Sequence, residues 1–408
     1  MNDLYFMSIT HASIVPLIGG MTIAQQNIFA TRPDYLLSYS PFKANDYHLV
    51  NYYDNEVPYI LLDEGGKYPH KVDVVTTCCP CAGLSALSPS ASGTSAMNEW
   101  MFRSAEYVLG NIKPRVFWGE NAPRLASKLG EPVVERLRKI GRENGYTFSI
   151  FKTKSLVHGL SQVRERTFYF FWQGDKIPLL EYCNHTSNER IEDTIDMAKN
   201  APFNDPMSII LTNEKTPSKD PYYRYLLEEV HGGISHREFA ESLTRTANVL
   251  RSIEAAPGHD YMSVSAWMEK NGFAKLAERS KGMHMKLGMG GNIMRKQIEV
   301  PCDVIGAFVG HMPTMLTHHR EDRFLTIREC LSIMKMPLDF QLHNAKRNIN
   351  HICQNVPVTT AEHPARMVKM FLEDKLPLDD YADGFLIQDN VRQRVSSGES
   401  ASLETFMA

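Results

Sequence analysis

Three short stretches hold residue types that could do chemistry together. In the first, Thr77-Cys78-Cys79-Pro80-Cys81-Ala82-Gly83-Leu84-Ser85, a proline introduces Cys81 just after the β-branched run 73–77. A thiol on a loop at the carboxyl end of a parallel strand is where an α/β sheet presents a nucleophile. Most single cysteines are small core hydrophobes, so Pro80-Cys81 gains weight only from its company. The second stretch, Val116-Phe117-Trp118-Gly119-Glu120-Asn121-Ala122-Pro123, puts the Glu120 carboxylate at the end of the next strand, one helix later. Glu120 and Cys81 could then share one rim of the sheet, although an acid there can equally cap the following helix. In the third, Ser161-Gln162-Val163-Arg164-Glu165-Arg166, residues Gln162, Arg164 and Arg166 alternate and share one side of an extended segment. Two arginines on one side form a clamp for an anion or a carbonyl, or else an exposed edge paired with Glu165.

Positioning these residues requires a sheet. Residues 73–77 suit a buried parallel strand, and 97–112 read as a helix with Met97, Met101, Val108 and Ile112 on one side. A strand over 115–119, a helix over 132–145 and apolar strands over 147–152 and 167–172 follow. This alternation predicts an α/β fold, a doubly wound, mostly parallel sheet that binds ligands at the carboxyl ends of its strands. After about residue 185 the chain turns polar until a capping box, Ser235 with Glu238, opens a helix carrying Phe239, Leu243, Leu250 and Ile253. Residues 275–296 are basic and glycine-rich, as expected of a loop that follows a phosphate backbone or of a plain solvated loop. Thr326 with Glu329 and Thr359 with Glu362 mark two more capping boxes, and the tail from Arg394 is expected to be mobile.

Composition excludes whole classes. The 408 residues, 43% apolar and 22% charged, can fill two domains or one large domain with an insertion. A net charge of -3 gives no global pull on nucleic acid, so any such contact must come from a local basic surface. No apolar run approaches a membrane span, and residues 1–10 lack the basic start of a secretion signal, so an intracellular, cytoplasmic protein is expected. The seven cysteines are an odd number, which suits reduced thiols. Neither they nor the fifteen histidines show metal-ligand spacing (His318 and His319 are merely adjacent), so no metal site is expected.

Taken in order, these segments resemble the DNA (cytosine-5) methyltransferase family. Pro80-Cys81 resembles its nucleophile loop, Glu120-Asn121-Ala122 its E-N-V block, and Gln162, Arg164 and Arg166 its Q-x-R-x-R block. Arg323-Phe324-Leu325-Thr326-Ile327-Arg328-Glu329 looks like R-x-L-T-x-R-E, and Gln354-Asn355-Val356-Pro357 like G-N-x-V-P. Departures cluster on the cofactor side. The family's F-x-G-x-G-G loop appears as Val15-Pro16-Leu17-Ile18-Gly19-Gly20, with Leu17 in place of a glycine. Ser40 stands where the family has a ribose-binding glutamate, and Cys353 or Gln354 where it has glycine. These mark a divergent member, of the kind a phage or mobile element carries.

The resemblance implies an S-adenosylmethionine-dependent methyltransferase fold over residues 1–184, an inserted target-recognition domain over 185–322, and a return to the catalytic domain over 323–408. It implies transfer of a methyl group from S-adenosylmethionine to carbon 5 of a cytosine flipped out of double-stranded DNA, by a protein acting as a monomer, as in restriction-modification. Cys81 would add to carbon 6, Glu120 would share a proton at N3, and Arg164 and Arg166 would hold the ring carbonyl and a phosphate. The cofactor would lie at Gly19, Gly20, Ser40, Asp63, Pro80 and Asn355. On the DNA side, Gln162 would support the loop, and Lys281, Lys286, Arg295 and Lys296 would meet phosphate. Cys78 and Cys79 are expected only to pack. Three alternatives stay open: a tRNA cytosine methyltransferase, an enzyme using an altered S-adenosylmethionine, and a catalytically silent DNA-binding relative.

Overall fold

Buried apolar and β-branched runs open the chain as β1 (His11–Ile14), β2 (Tyr35–Ser38), β3 (Tyr59–Leu61) and β4 (Val74–Thr77). Helices α1 (Gly20–Phe29) and α2 (Lys43–Tyr52) lie between the first three strands. Next come α3 (Glu99–Tyr107), which runs into a π turn at Val108–Ile112, then β5 (Val116–Asn121) and α4 (Glu131–Glu143). In α4, Pro132 sits in the first turn, where a missing N–H costs nothing, and Val133, Val134, Leu137 and Ile140 form the buried face. Strands β6 (Tyr146–Lys154), β7 (Glu165–Gln173) and the short β8 (Ile177–Pro178) complete this part. This computed structural model describes residues 8–80, 83–85, 91–185, 188–211, 216–310 and 312–398. The chain divides into one unit formed by Met1–Asn188 with Met334–Ala408, and a second formed by Glu189–Ile333.

The second unit contains α5 (Ile191–Asp196), α6 (Pro221–Tyr225), α7 (His236–Ser242), β9 (Ala247–Asn248) and α8 (Val249–Ala255). It continues with α9 (Tyr261–Lys270), α10 (Ala274–Gly288), β10 (Glu299–Val300) and α11 (Ile327–Ile333). Tyr222, Tyr223, Phe239, Leu250, Trp267 and Met268 belong to its own apolar core. The capping box at Ser235 forms, but its helix stops at Ser242. Leu243 is extended, β9 intervenes, and Asn248 caps a separate helix, so the expected single stripe is carried by two helices. The basic stretch is likewise mostly helix rather than loop. In α10, Ala277, Ser280 and Met283 are buried at helical spacing, while Gly282 and Gly288 have open space where a side chain would be.

The chain then returns to the first unit as α12 (Ala345–Cys353), α13 (Val358–Leu372), β11 (Leu378–Asp379), β12 (Phe385–Asp389) and β13 (Arg394–Ser397). The main sheet has nine strands in the order β13-β12-β6-β7-β5-β4-β1-β2-β3. Pairings from β3 through β5, and that of β6 with β12, are parallel. Strand β7 is antiparallel to both neighbours, a reversal that an apolar run buried on both faces does not reveal. Aromatic pairs cross this join: Phe117 stacks on Phe171 at 5.5 Å and Trp118 on Phe170 at 5.8 Å. The buried indole of Trp118 donates to Gln25 Oε1 at 2.6 Å, which removes the cost of an unpaired N–H. Two expectations fail at the end of the chain. Helix α13 starts behind Pro357 rather than at a Thr359 cap, with Glu362 accepting from Asn27 Nδ2, and residues 394–397 form an antiparallel edge strand instead of a loose tail.

Candidate active site

Strand β4 ends at Thr77, and the next two thiols turn inward, each almost fully buried. Cys79 Sγ lies 3.2 Å from Thr77 Oγ1 and 3.6 Å from Ser104 Oγ, and burial pushes the thiol up to about 11. It stays protonated and inert at neutral pH, a packing residue. Cys78 differs: its Sγ donates to Glu120 Oε1 at 3.1 Å, so the expectation that it only packs is corrected. Cys81 lies outside the described residues.

Glu120 comes from the neighbouring strand β5 and is 2% exposed. Its Oε2 faces Arg166 Nε at 3.1 Å, an ion contact that is not aligned as a hydrogen bond. Gly119 makes room for this arrangement, since a Cβ there would lie 2.5 Å from the Tyr169 hydroxyl and 2.6 Å from Thr77 Cγ2. The alternation expected of residues 162–166 holds: Gln162, Arg164 and Arg166 are buried, while Val163 is exposed. The three do not share a task. Arg166 meets Glu120. Arg164 donates to the main-chain carbonyls of Cys353 (2.7 Å) and Asn355, and so braces that turn. Gln162 reaches Met334 Sδ at 3.8 Å, a core contact rather than a DNA-facing one.

The turn braced by Arg164 closes on the start of α1. Asn355 Oδ1 accepts from Gly20 N at 3.0 Å, and a Cβ on Gly20 would fall 2.6 Å from Val356 O. Gly20 is therefore required by protein packing. Gly19 has φ +91, and a Cβ there would run into Leu49, so it is doubly constrained. Leu17, in place of the usual glycine, keeps the left-handed backbone at φ +53, as does Val15 at φ +50. Leu17 is fully buried, and its N–H donates to Asp46 Oδ1 at 3.0 Å. Asp46 has no cation partner among the described residues, accepts also from the Tyr59 hydroxyl at 2.8 Å, and is pushed up to about 7 by burial.

At the carboxyl ends of β2 and β3, Ser40 N donates to both Asp63 oxygens, at 2.9 and 3.0 Å. Ser40 Oγ donates to Glu64 Oε1 at 3.1 Å, and Lys43 Nζ lies 3.3 Å from the same oxygen. Pairing of β2 with β3 thus sets the Glu64 carboxylate beside Ser40. Sequence reading missed Glu64 because the two residues meet only once β2 and β3 are paired. Exposed carboxylates here suit the paired hydroxyls of a ribose, so this donor set fits a nucleoside cofactor.

A family model, C-5 cytosine-specific DNA methylase, matches residues 44–369. The chain belongs to that family. The match begins beyond the Val15–Gly20 loop and Ser40, where the methylase motifs are altered. Among solved structures, a prophage-encoded E. coli protein described as a DNA modification methyltransferase is similar over 90% of this chain and 100% of its own, with a TM-score of 0.54 at 14% identity. A methyltransferase of Entamoeba histolytica is similar over 90% and 99%, with a TM-score of 0.51 at 11% identity. These likenesses establish the methyltransferase fold. No curated protein matches the sequence.

Within the methylase's second unit, the expected DNA-facing cations separate into two groups. Lys281 is held by Glu269 (2.6 Å) and Glu278 (3.0 Å), and Arg295 by Glu254 (2.8 Å), so neither offers a free charge. Lys286 and Lys296 are exposed and make no ion pair among the described residues. Beside them Met285, Met289 and Met294 are exposed by 60%, 80% and 76%. A separate cleft is lined by Lys219, Arg320 and Asp322. The R-x-L-T-x-R-E block is structural here. Arg328 clamps Asp205 at 2.7 and 2.8 Å, while Glu329 caps α11 and grips Arg323 at 2.8 and 2.9 Å. Among the described residues no helix is long and apolar enough to cross a membrane.

Proposed function

We propose that this protein is a DNA cytosine-5 methyltransferase in which Cys81 attacks carbon 6 of the target base. The observation that carries the reading is the buried cluster of Cys78, Glu120 and Arg166 at the carboxyl ends of β4 and β5, beside the chain that leads into Pro80-Cys81. Carbon 5 of cytosine is a weak nucleophile. Addition of a thiolate at carbon 6 makes the ring an enamine, and the charge pushed towards N3 needs a proton-sharing partner. Glu120 fills that role, steered by the Cys78 thiol on one oxygen and by Arg166 on the other. Arg164 acts at one remove, holding the turn that seats Asn355 on Gly20.

Asp63, Glu64 and the Ser40 main chain would hold S-adenosylmethionine, with the Gly19–Gly20 turn behind them. That cofactor supplies an electrophilic methyl group on a sulfonium. Glu64 also favours the ordinary donor over an altered one, because the acid absent from position 40 has been replaced rather than lost. The face must be reached from outside the stack, so the base is flipped, and the exposed Lys286, Lys296 and methionines suit phosphate contact and a wedge.

DNA carrying 5-fluorocytosine tests this reading. Fluorine blocks loss of the carbon-5 proton, so the wild-type protein should give a complex that survives denaturing electrophoresis in the presence of the cofactor. Cys81→Ser should lose both the complex and methyl transfer, since a hydroxyl is far less ionised than a thiol. A complex that persists in Cys81→Ser, or that forms only on tRNA, would overturn the assignment.

A further inference from the structure

On the catalytic unit, away from the Cys78–Glu120 cluster, a second group of side chains converges that the methylase reading does not use. His158 follows β6, Cys183 follows β8, and His363 lies in α13. One ring nitrogen of each histidine and the Cys183 sulfur lie within 4.8 Å of one another. The two rings stand 5.4 Å apart, and His158 and His363 are 4% and 8% exposed. Each ring is held by its far nitrogen. His363 Nε2 lies 2.9 Å from Glu181 O, and because a carbonyl only accepts, Nε2 carries the proton and Nδ1 keeps its lone pair. His158 Nε2 lies 2.7 Å from Thr153 Oγ1, and its buried Nδ1 has no hydrogen-bond partner among the described residues. Asn390 ties the frame together, donating to Thr153 Oγ1 at 3.0 Å and accepting from Cys183 N at 3.1 Å.

An orphaned ring nitrogen in the interior is costly unless something satisfies it. Burial raises the Cys183 thiol above its usual range, and the nearby Arg366 offsets part of that rise. Rings fixed through the far nitrogen to a carbonyl or hydroxyl are the usual support of metal-bound histidine. The contrasting group, Asp196 with His318 and His319 in the second unit, lacks this feature. There His318 Nδ1 accepts from two main-chain N–H groups at 3.1 Å, which leaves the proton on the nitrogen that would have to bind.

We propose that His158, Cys183 and His363 form a binding site for a thiophilic divalent cation of zinc's class, its fourth position open to water or to the exposed His185. Tetrahedral zinc needs donors about 3.3–3.7 Å apart, so the group closes by about 1 Å on binding. The cation would staple α13 to the ends of β6 and β8. Spacing analysis found no motif because the three ligands come from three distant segments.

The full-length protein, stripped with a chelator and reloaded with Co2+, should take up one equivalent and show a thiolate-to-cobalt charge-transfer band with tetrahedral visible bands. Cys183→Ser should lose the charge-transfer band, Cys302→Ser should keep it, and Thr153→Val should bind Zn2+ about 10- to 100-fold more weakly. Because losing Cys183 could disturb folding, X-ray absorption on the zinc-loaded wild type gives an independent reading: one sulfur neighbour near 2.3 Å, the rest nitrogen or oxygen, is expected. No stoichiometric uptake, a band that survives Cys183→Ser, or a shell without sulfur would overturn the proposal.

Discussion

A carboxyl group buried without a cation beneath the β1–α1 turn favours folding only while it keeps its proton. Asp46 titrates at about 7 in the folded chain, against 3.8 for the free group. Its contribution to stability is therefore fully present below about pH 4 and is lost as the pH rises towards 7. Asp46→Asn keeps an acceptor for Leu17 N and removes the charge. Urea unfolding should find the variant more stable than wild type at pH 8, by about 4 kcal/mol at most, with a smaller gain at pH 5. Equal gains at both values would show that the carboxyl is not the titrating group. Cys78 makes a second prediction at this scale. A hydrogen bond to a charged group is worth about 1.5–3 kcal/mol, so Cys78→Ala should lower kcat roughly ten- to hundredfold with little change in KM. Cys78→Ser, which can still donate, should recover part of the loss, and Cys79→Ser should stay near wild type. At this scale the sequence was legible at Glu120, which lies at the end of β5 beside Arg166 as its position suggested, whereas Cys81 falls outside the described residues. The sequence was silent on the protein contacts of Arg164 and Gln162, because a pattern of types does not name the turn or the methionine that each one meets.

Among the elements, the turn into α1 shows one local cost outweighed by another gain. A left-handed leucine costs about 1–2 kcal/mol, whereas full burial of its side chain contributes about 1.5–3 kcal/mol. Leu17 thus tolerates φ +53 because it is completely enclosed. Gly20 has no such latitude, since its missing Cβ is where Asn355 and the Val356 carbonyl sit. Gly20→Ala should destabilise the fold by about 1–3 kcal/mol in thermal or urea unfolding, since the main chain cannot move aside as a flexible side chain would. Full stability in that variant would mean that the α12–α13 turn does not close on α1 as described. Strands β4 to β7 and helices α3 and α4 were readable because each buries a run or stripe of its own. The direction of β7 was not, because aromatic side chains on both faces fit either direction equally well. In α10, glycines suggested a loop, but two of them face open space and interrupt nothing that the helix packs against.

For the whole molecule, the inserted unit separates two halves of one catalytic sheet. Its own core, its free Lys286 and Lys296 and its exposed methionines make it the candidate reader of DNA sequence. Exchange of residues 189–333 for the equivalent unit of a related enzyme should change which sites are methylated while leaving the reaction intact, as bisulfite sequencing of treated plasmid would reveal. An unchanged site pattern would place recognition in the catalytic unit. The doubly wound architecture was legible from the alternation of elements, but the helix of 327–333 was not assignable to the inserted unit from sequence, since its clamp on Asp205 spans more than a hundred residues.

The position of β12 has a consequence for how the protein is made. This strand pairs with β6, Phe385 opposite Phe148, and carries the outermost β13. The residues that complete the catalytic sheet thus leave the ribosome long after β1 to β7 have emerged. The inserted unit, contiguous in the chain, has all its residues outside the tunnel first. Folding during synthesis should therefore complete the inserted unit before the sheet that flanks it in sequence. Until β12 arrives, the apolar edge of β6 stands open to a holdase, or to the same edge of a second nascent chain.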